Sequence, residues 1–282
     1  MKTIYTLIPD IYQLVQQEGW QDGLTCTLKA GEGRSRSSLR LSGMGPKCPR
    51  AFWYSVHHPE LAESLPPQAE IKYCYGHIIE QLILQLARKA GHTVEGEQDE
   101  IIVDGVTGHR DCVIDGCLCD IKSQSSRAIE KLRSKSIASD DPFGYLDQLD
   151  GYSLGCLNDP LVKIKDKAYL IGVDKTLGHM AYYEHTVRHE RIATIIKERK
   201  RIARLAHPPA CECGTRPEGL SGNIGLDVRA SYSPYKYQCF PHLRTFLYAD
   251  GPKYLTKVVK TPNVTEVFHE RNERNYGGIL AQ

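Results

Sequence analysis

The stretch GHRDCVIDGCLCDIKSQS, residues 108–125, places two carboxylates and an ammonium group in apolar sequence of high β-propensity. The carboxylates are Asp111 and Asp120, and Lys122 follows the second. The DG dipeptide at 115–116 is typical of a two-residue hairpin turn. Pairing across that turn puts Asp111 roughly opposite Asp120, so the hairpin concentrates negative charge in a region that we expect to be buried.

Such an arrangement requires a compensating charge, because an unpartnered buried carboxylate is expensive. Residues two apart on a strand share a face, so Asp120 and Lys122 point the same way, and we expect Lys122 to compensate Asp120 only poorly. Two facing carboxylates repel unless a divalent cation lies between them, and oxygen ligands suit Mg²⁺ or Mn²⁺. The alternative is a surface Asp-x-Lys pair, which is common in proteins.

A third carboxylate, Glu80, lies on a helix predicted over residues 70–90, three residues after His77 and on the same face. Lys122 would orient or deprotonate the attacking water. This chemistry is metal-assisted hydrolysis of a phosphodiester. The carboxylates that would together hold one or two metals are Glu80, Asp111 and Asp120.

The rest of the pattern predicts a mixed α/β fold in a single unit spanning residues 1–282. We place its core at 70–205 and an accessory, cysteine-bearing lobe at 26–60 plus 206–250. Residues 207–240 are expected to be rich in loops. Helices are predicted over 3–18, 70–90, 141–157 and 186–205, three strands over 99–123, and further strands over 167–173 and 179–184.

Composition sets broad limits on the class of protein. The chain has 282 residues, of which 41% are hydrophobic and 25% charged, so a substantial core is expected. It shows no signal-peptide pattern and no apolar run of membrane-spanning length. Ten cysteines without an export signal favour reduced thiols or metal ligation, and we therefore expect a cytoplasmic protein with no membrane partner.

Four short motifs occur in the order and spacing of the PD-(D/E)XK nuclease superfamily, and the chain resembles its RecB-like branch, which includes phage and CRISPR-associated exonucleases. The resemblance covers about 80 residues of core. It implies a restriction-endonuclease-like core, in which helices flank a mixed central β-sheet. The motifs are YGHIIE (75–80), GHRD (108–111), CDIK (119–122) and QLDGY (148–152).

The resemblance also implies roles for individual residues. Lys122 would be the catalytic lysine, and Gln148 and Tyr152, four apart on one helix face, would position the DNA strand or the lysine. His77 would take the role of the first-motif histidine and join the metal site. The metal ligands implied are Glu80, Asp111, Asp120 and the carbonyl of Ile121.

Many RecB-like nucleases carry an iron–sulfur cluster on four cysteines, one before the core and three after it. Cys48 in GPKCPRAFWY (45–54) resembles the first ligand, and Cys239 resembles the last. Ala230 and Ser233 occupy the two remaining positions, and alanine cannot ligate.

Three interpretations stay open. The lobe has lost its metal and is held by aromatic packing, or cysteines at 230 and 233 were replaced by engineering, or Cys211 and Cys213 supply the missing thiolates. In the last case the cysteines would bind an iron–sulfur cluster or Zn²⁺.

Basic residues suggest the contacts to DNA. The segment GRSRSSLRLSG (33–43) mixes arginine with hydroxyl residues, a composition that suits backbone phosphates, and no base-reading motif is present. A solvated surface is the alternative. The candidate DNA-binding residues are Arg34, Arg36, Arg40 and Arg50.

The sequence therefore predicts a metal-dependent DNA exonuclease that hydrolyses phosphodiester bonds from DNA ends. Phage recombination or DNA degradation would be its use, with a recombination or single-strand-binding protein as a further partner. The location would be the host cytoplasm if the protein is phage-encoded. Alternatives are a structure-specific or nicking endonuclease with the same site, a non-catalytic DNA-binding subunit, and a redox or zinc protein built on the cysteines.

Overall fold

The computed structural model describes residues 2–26, 39–45, 47–64 and 67–268. The chain divides into two compact units, Met1–Gly45 with Leu65–Lys197, and Pro46–Ser64 with Glu198–Gln282. Residues 198–205, which we assigned to the core, therefore lie in the second unit. Residues 39–45, which we assigned to the accessory lobe, lie in the first unit. The predicted division into a core and an accessory lobe otherwise stays a prediction.

Helices and strands follow one another in groups along the described chain. The helices are α1 (Leu7–Val15), α2 (Pro49–His57), α3 (Pro67–Lys89), α4 (Ser126–Arg133), α5 (Tyr145–Gly155), α6 (His189–Ala203), α7 (Val228–Ser231) and α8 (Lys236–Cys239). The strands are β1 (Val94–Glu95), β2 (Glu100–Val103), β3 (Val106–His109), β4 (Cys112–Ile114), β5 (Cys117–Gln124), β6 (Lys167–Asp174), β7 (Met180–Thr186), β8 (Thr215–Glu218), β9 (Asn223–Leu226), β10 (Arg244–Tyr248), β11 (Gly251–Lys257) and β12 (Glu266–Val267).

The first unit is built on a sheet of order β1-β4-β5-β6-β7. β5 and β6 are parallel, and the other neighbours are antiparallel. Apolar side chains of α1 and α3 cover one face of this sheet, where they pack on Cys119, Ile121 and Ile171. On the other face, α4 places Ile129 and Leu132 against β6, and α5 reaches β5. The predicted fold class, a mixed central sheet flanked by helices, is confirmed.

The predicted DG turn at 115–116 is present, and a second DG turn lies at 104–105. Asp104 and Asp115 have φ values of 47° and 50°, and the glycines that follow them have φ values of 73° and 79°. Positive φ at both central residues is the signature of a type I′ turn, whose twist matches that of the paired strands. Aspartate tolerates this conformation better than most residues, and glycine has no Cβ to oppose it.

The prediction of three strands over 99–123 was wrong, because the chain forms β2, β3, β4 and β5 there. β2 and β3 make a separate two-stranded sheet. The strand that we expected between the two turns is interrupted at Arg110 and Asp111. The Arg110 side chain donates to the carbonyl of Gly96, and the Asp111 carboxylate accepts from the backbone N–H of Ile121. These tertiary contacts replace a continuous ladder.

Helix α5 begins four residues later than predicted, at Tyr145. The Asp141 carboxylate still satisfies its first turn, accepting from the backbone N–H groups of Gly144 and Leu146 at 3.0 and 2.9 Å. Helix α3 ends as expected near Gly91, which has φ 86°.

The second unit contains a sheet of order β12-β10-β11-β9-β8 together with α2, α7 and α8. Residues 207–240 therefore contain more regular structure than the predicted loops. Trp53 and Tyr235 are buried there, and Trp53 Nε1 donates to the carbonyl of Leu205 at 2.9 Å. Across the described ranges of the chain, every helix is too short or too polar to span a membrane.

Candidate active site

The hairpin of β4 and β5 brings the two aspartates together. Its ladder ends with Cys112 paired to Cys119, and Asp111 and Asp120 are the next residues on either side. The Oδ2 atom of Asp111 accepts a hydrogen bond from the backbone N–H of Ile121 at 2.7 Å. This bond fixes the Asp111 carboxylate across the strand that carries Asp120.

Lys122 lies directly against these carboxylates. Its Nζ is 2.8 Å from Oδ1 of Asp120, 2.7 Å from Oδ2 of Asp120 and 3.7 Å from Oδ2 of Asp111. The expectation that Lys122 compensates Asp120 only poorly was therefore wrong, because side chains two apart on β5 reach the same point. Burial alone would lower the pKa of Lys122, but the charges of Asp111 and Asp120 outweigh it and raise the pKa. The ammonium group stays protonated at neutral pH.

Asp120 is fully buried at the centre of the site. Burial raises its pKa to about 7, against the opposing effect of Lys122. Among the described residues, none directs a hydrogen bond to its Oδ2 atom, although Lys122 Nζ lies 2.7 Å away outside hydrogen-bond geometry. A buried carboxylate oxygen without a donor is a suitable ligand for a cation.

Glu80 comes from α3, which carries its buried residues from this position onward. Burial raises the pKa of Glu80 to about 7, and the nearby charge of Asp111 adds to the effect. Oε1 of Glu80 accepts from Nε2 of Gln98 at 2.8 Å, and the Gln98 backbone N–H donates to the carbonyl of Asp111 at 3.3 Å. Gln98 thus connects two of the three predicted carboxylate ligands.

Sequence reasoning missed Gln98. It lies in the loop before β2 with φ 57°, a backbone conformation that is uncommon outside glycine. No periodic pattern or motif marks this position, since its role depends on where the loop passes α3.

Helix α5 provides the opposite side of the site. Nε2 of Gln148 donates to Oδ1 of Asp120 at 3.1 Å and to Oη of Tyr152 at 2.8 Å. Burial, reinforced by the charge of Asp120, raises the pKa of Tyr152, so its hydroxyl stays protonated. The ring of Tyr145 lies 5.8 Å from Lys122 Nζ, close enough for a cation–π contact. Tyr145 was missed, although its spacing to Gln148 places both on one helix face.

His77 and Ile121 were also predicted as metal ligands. His77 is exposed on α3, one turn before Glu80. The Ile121 side chain is buried, and its N–H holds Asp111. Ligation by His77 and by the Ile121 carbonyl therefore stays a prediction.

The predicted DNA-binding arginines are distributed over both units. Arg34 and Arg36 lie outside the described residues. Arg40 is half-buried and forms an isolated bridge with Thr107. Arg50, in the second unit, donates from Nε to the carbonyl of Pro209 at 2.8 Å. Their contacts with phosphate stay predictions.

The second unit also gathers four thiols. The Sγ atoms all lie within 4.8 Å of one another, and these residues could bind a metal ion. The cysteines are Cys48, Cys211, Cys213 and Cys239.

The carboxylates of the first unit fit a hard divalent cation. They offer oxygen ligands from three separate segments, and one atom lacks a donor. Burial, with a further contribution from the charge of Asp111, raises the pKa of two of the groups, Glu80 and Asp120. Mg²⁺ and Mn²⁺ prefer such donors.

No family model matches the chain, and no curated protein matches its sequence. Among solved structures, it is similar to SSO0001, with 14% identity over 85% of this chain and 96% of that one, at a TM-score of 0.42. An alkaline exonuclease from Laribacter hongkongensis shows 16% identity over 59% of this chain and 86% of that one, at a TM-score of 0.36. A phage-related exonuclease from Haemophilus somnus 129PT shows 14% identity over 60% of this chain and 92% of that one, at a TM-score of 0.42.

Proposed function

We propose that this protein is a metal-dependent deoxyribonuclease that hydrolyses phosphodiester bonds from DNA ends. The observation that carries the proposal is the buried Asp120 carboxylate, which contacts the Lys122 ammonium and the Gln148 amide beside Asp111 and Glu80. Buried titratable groups with strongly shifted pKa values and specific charged partners are typical of catalytic sites.

Glu80, Asp111 and Asp120 are the residues that would hold the cation. When bound, Mg²⁺ or Mn²⁺ would supply Lewis acidity and neutralise charge on the phosphate that reacts. Hydrogen bonds from other residues of the chain fix these three carboxylates in position. Gln98 holds Glu80, the Ile121 N–H holds Asp111, and Gln148 holds Asp120.

Lys122 is the proposed catalytic residue that contacts substrate. Its raised pKa means that the ammonium group is charged, so it cannot accept a proton from water while it is paired with Asp120. Its role is then to donate hydrogen bonds, which orient the attacking water and stabilise negative charge on the phosphate oxygens. Of the two roles that the sequence suggested for Lys122, orienting or deprotonating the water, we propose orientation.

Gln148 and Tyr152 are the proposed positioning residues. The Gln148 amide uses both of its hydrogens, one on Asp120 and one on the Tyr152 oxygen. The hydrogen of the Tyr152 hydroxyl is then available for a phosphate oxygen of the DNA strand. Backbone contacts of this kind fix the strand without reading its sequence.

The biological setting proposed is phage recombination or degradation of DNA in the cytoplasm, the host cytoplasm if the protein is phage-encoded. A recombination or single-strand-binding protein would be its further partner. An endonuclease with the same site, a non-catalytic DNA-binding subunit and a redox protein are the competing functions.

A cleavage assay tests the proposal. Linear single- and double-stranded DNA, end-labelled, and closed circular DNA are incubated with the protein in Mg²⁺ or Mn²⁺, beside Lys122→Ala. Loss of linear DNA alone, abolished by the substitution, is the expected result. Cutting of circles would indicate the endonuclease. Absence of metal-dependent cleavage, with DNA binding retained, would reject the enzymatic function.

A further inference from the structure

We propose that the second unit contains a mononuclear zinc site with four thiolate ligands. Cys48 Sγ lies 3.9 Å from Cys211 Sγ and 4.0 Å from Cys239 Sγ, and all four sulfur atoms lie within 4.8 Å of one another. The ligands are Cys48, Cys211, Cys213 and Cys239.

The sulfur spacing distinguishes this site from the iron–sulfur cluster that the family resemblance implies. Tetrahedral ligation with bonds of about 2.3 Å separates the sulfurs by about 3.8 Å. A cluster places several iron and sulfide ions between its thiolates, which forces them further apart. The two separations from Cys48, 3.9 and 4.0 Å, are close to the mononuclear value. They also exceed the length of a disulfide bond, about 2.05 Å.

The resemblance implies two further ligands at positions 230 and 233, but the residues there make other contacts. Ala230 is buried in an apolar cluster with Leu226, Tyr237 and Leu243. Ser233 Oγ accepts a hydrogen bond from the backbone N–H of Tyr235 at 3.2 Å. The Cys-x-Cys pair at 211 and 213 provides the ligands instead, from a different point of the chain.

The surroundings favour thiolates. Cys48 is the N-cap of α2, and its Sγ accepts from the backbone N–H of Glu212 at 3.3 Å. A helix N-terminus and N–H donors stabilise a negatively charged sulfur. Apolar side chains pack around the group, among them Tyr54, Leu61 and Phe240. Such a shell restricts water at a metal site.

Zinc is the ion that this ligand set suits best. Four thiolates leave no open coordination position, which is typical of a structural zinc site. Soft thiolates favour Zn²⁺, and Zn²⁺ binds more tightly than Fe²⁺ in the usual order of affinities. The ligands come from segments 163 and 191 residues apart, so the ion would close long loops and stabilise the second unit.

The test uses the full chain, purified anaerobically from cells supplied with both iron and zinc. Metal content, acid-labile sulfide and X-ray absorption at the zinc edge are measured on the unchanged protein. We expect one equivalent of zinc with four sulfur neighbours at about 2.3 Å. In Cys211→Ser, zinc should fall to background, whereas Cys74→Ser, at an exposed cysteine of α3, should keep it.

Several results would overturn the zinc site. They are a coloured protein containing iron, with or without sulfide, zinc bound through oxygen or nitrogen, and a metal-free protein with free or disulfide-bonded thiols. The spectroscopy on the unchanged protein decides the question even if Cys211→Ser fails to fold. Nuclease activity is not a readout, so this proposal and the nuclease function can fail separately.

Discussion

Nε2 of Gln148 donates a hydrogen bond to Oδ1 of Asp120 at 3.1 Å, so a helix side chain holds the most buried carboxylate of the site. The same nitrogen lies 2.8 Å from Oη of Tyr152, one turn further along α5. The Gln-x3-Tyr spacing thus has a geometric meaning, since it places an amide between a carboxylate and a phenol.

Replacing Gln148 should separate positioning from folding. Gln148→Ala removes the donor to Asp120, and we expect kcat to fall by about 10- to 100-fold, the usual range for a residue that orients a ligand. Gln148→Glu should fall further, because it adds a carboxylate to a cluster that is already crowded with negative charge. Cleavage rates and thermal melting are measured together. Equal activity of Gln148→Ala and the unchanged protein would contradict the assignment.

Lys122 should control the chemical step. Lys122→Met removes the ammonium but keeps the length of the side chain, and we expect cleavage to fall by about 10²–10³-fold, as for other lost donors to developing charge. DNA binding, measured in Ca²⁺ by fluorescence anisotropy, should change little. Lys131→Met is the matched control, because Lys131 lies on α4 and is paired with a different carboxylate, that of Asp140. Similar losses in both variants would argue against a specific role for Lys122.

Gln98 should affect the concentration of divalent cation that the protein needs for cleavage. Gln98→Ala removes the hydrogen bond that lowers the pKa of Glu80 and fixes its Oε1 atom. The half-saturating Mg²⁺ or Mn²⁺ concentration should rise by about 10-fold or more, because outer residues orient metal ligands. The rate is measured against metal concentration. A lower maximal rate at unchanged metal dependence would show that Gln98 does not act through Glu80.

Stability without metal should depend on pH through Asp120. Its pKa is about 7 in the folded protein and 3.8 ordinarily, so the folded state holds a proton that the unfolded state releases. The stability contributed by that proton is present below about pH 3.8 and is lost as pH rises through about 7.

The measurement compares melting temperatures of the unchanged protein and Asp120→Asn in EDTA. As pH rises from about 4 to about 7.5, the melting temperature of the unchanged protein should fall relative to that of Asp120→Asn. Adding Mg²⁺ at the higher pH should raise the melting temperature of the unchanged protein and leave that of the variant unaffected, because a ligand stabilises only the state that binds it. A difference that is constant with pH would contradict the raised pKa.

Arg110 should matter for folding and not for chemistry. Its guanidinium is 2% exposed and pairs with Asp99 at 2.6 Å and with Asp159. Arg110→Ala leaves these contacts unmade, and we expect a loss of about 3 kcal/mol in unfolding free energy. Urea unfolding measures this. Arg201→Ala, which removes an exposed i,i+3 pair with Glu198, should change the unfolding free energy little.

Local patterns predicted the hairpin correctly. The DG turn at 115–116 determined the register of the hairpin, which pairs Cys112 with Cys119 next to Asp111 and Asp120. Helical spacing likewise predicted that Gln148 and Tyr152 share a face. These relationships involve residues close in sequence, whose geometry follows from the periods of strands and helices.

The break between β3 and β4 could not be predicted in this way. Arg110 and Asp111 have side-chain partners in other segments, and those contacts interrupt a strand that looked continuous. The pairing of Lys122 with Asp120 was underestimated for a related reason. Strand alternation gives the direction of a side chain, but not the position of its terminal atom.

The sequence by itself determined the mixed α/β class, the hairpin and the residues that form the centre of the site. Only the tertiary structure decided that Gln98 and Tyr145 join them, and that Cys48 meets Cys211, Cys213 and Cys239. The physical reason is chain connectivity. A contact between neighbours follows from backbone periodicity. A contact between separate elements, such as Gln98 with Glu80 at 18 residues apart or Cys48 with Cys211 at 163 apart, depends on how the chain closes its loops.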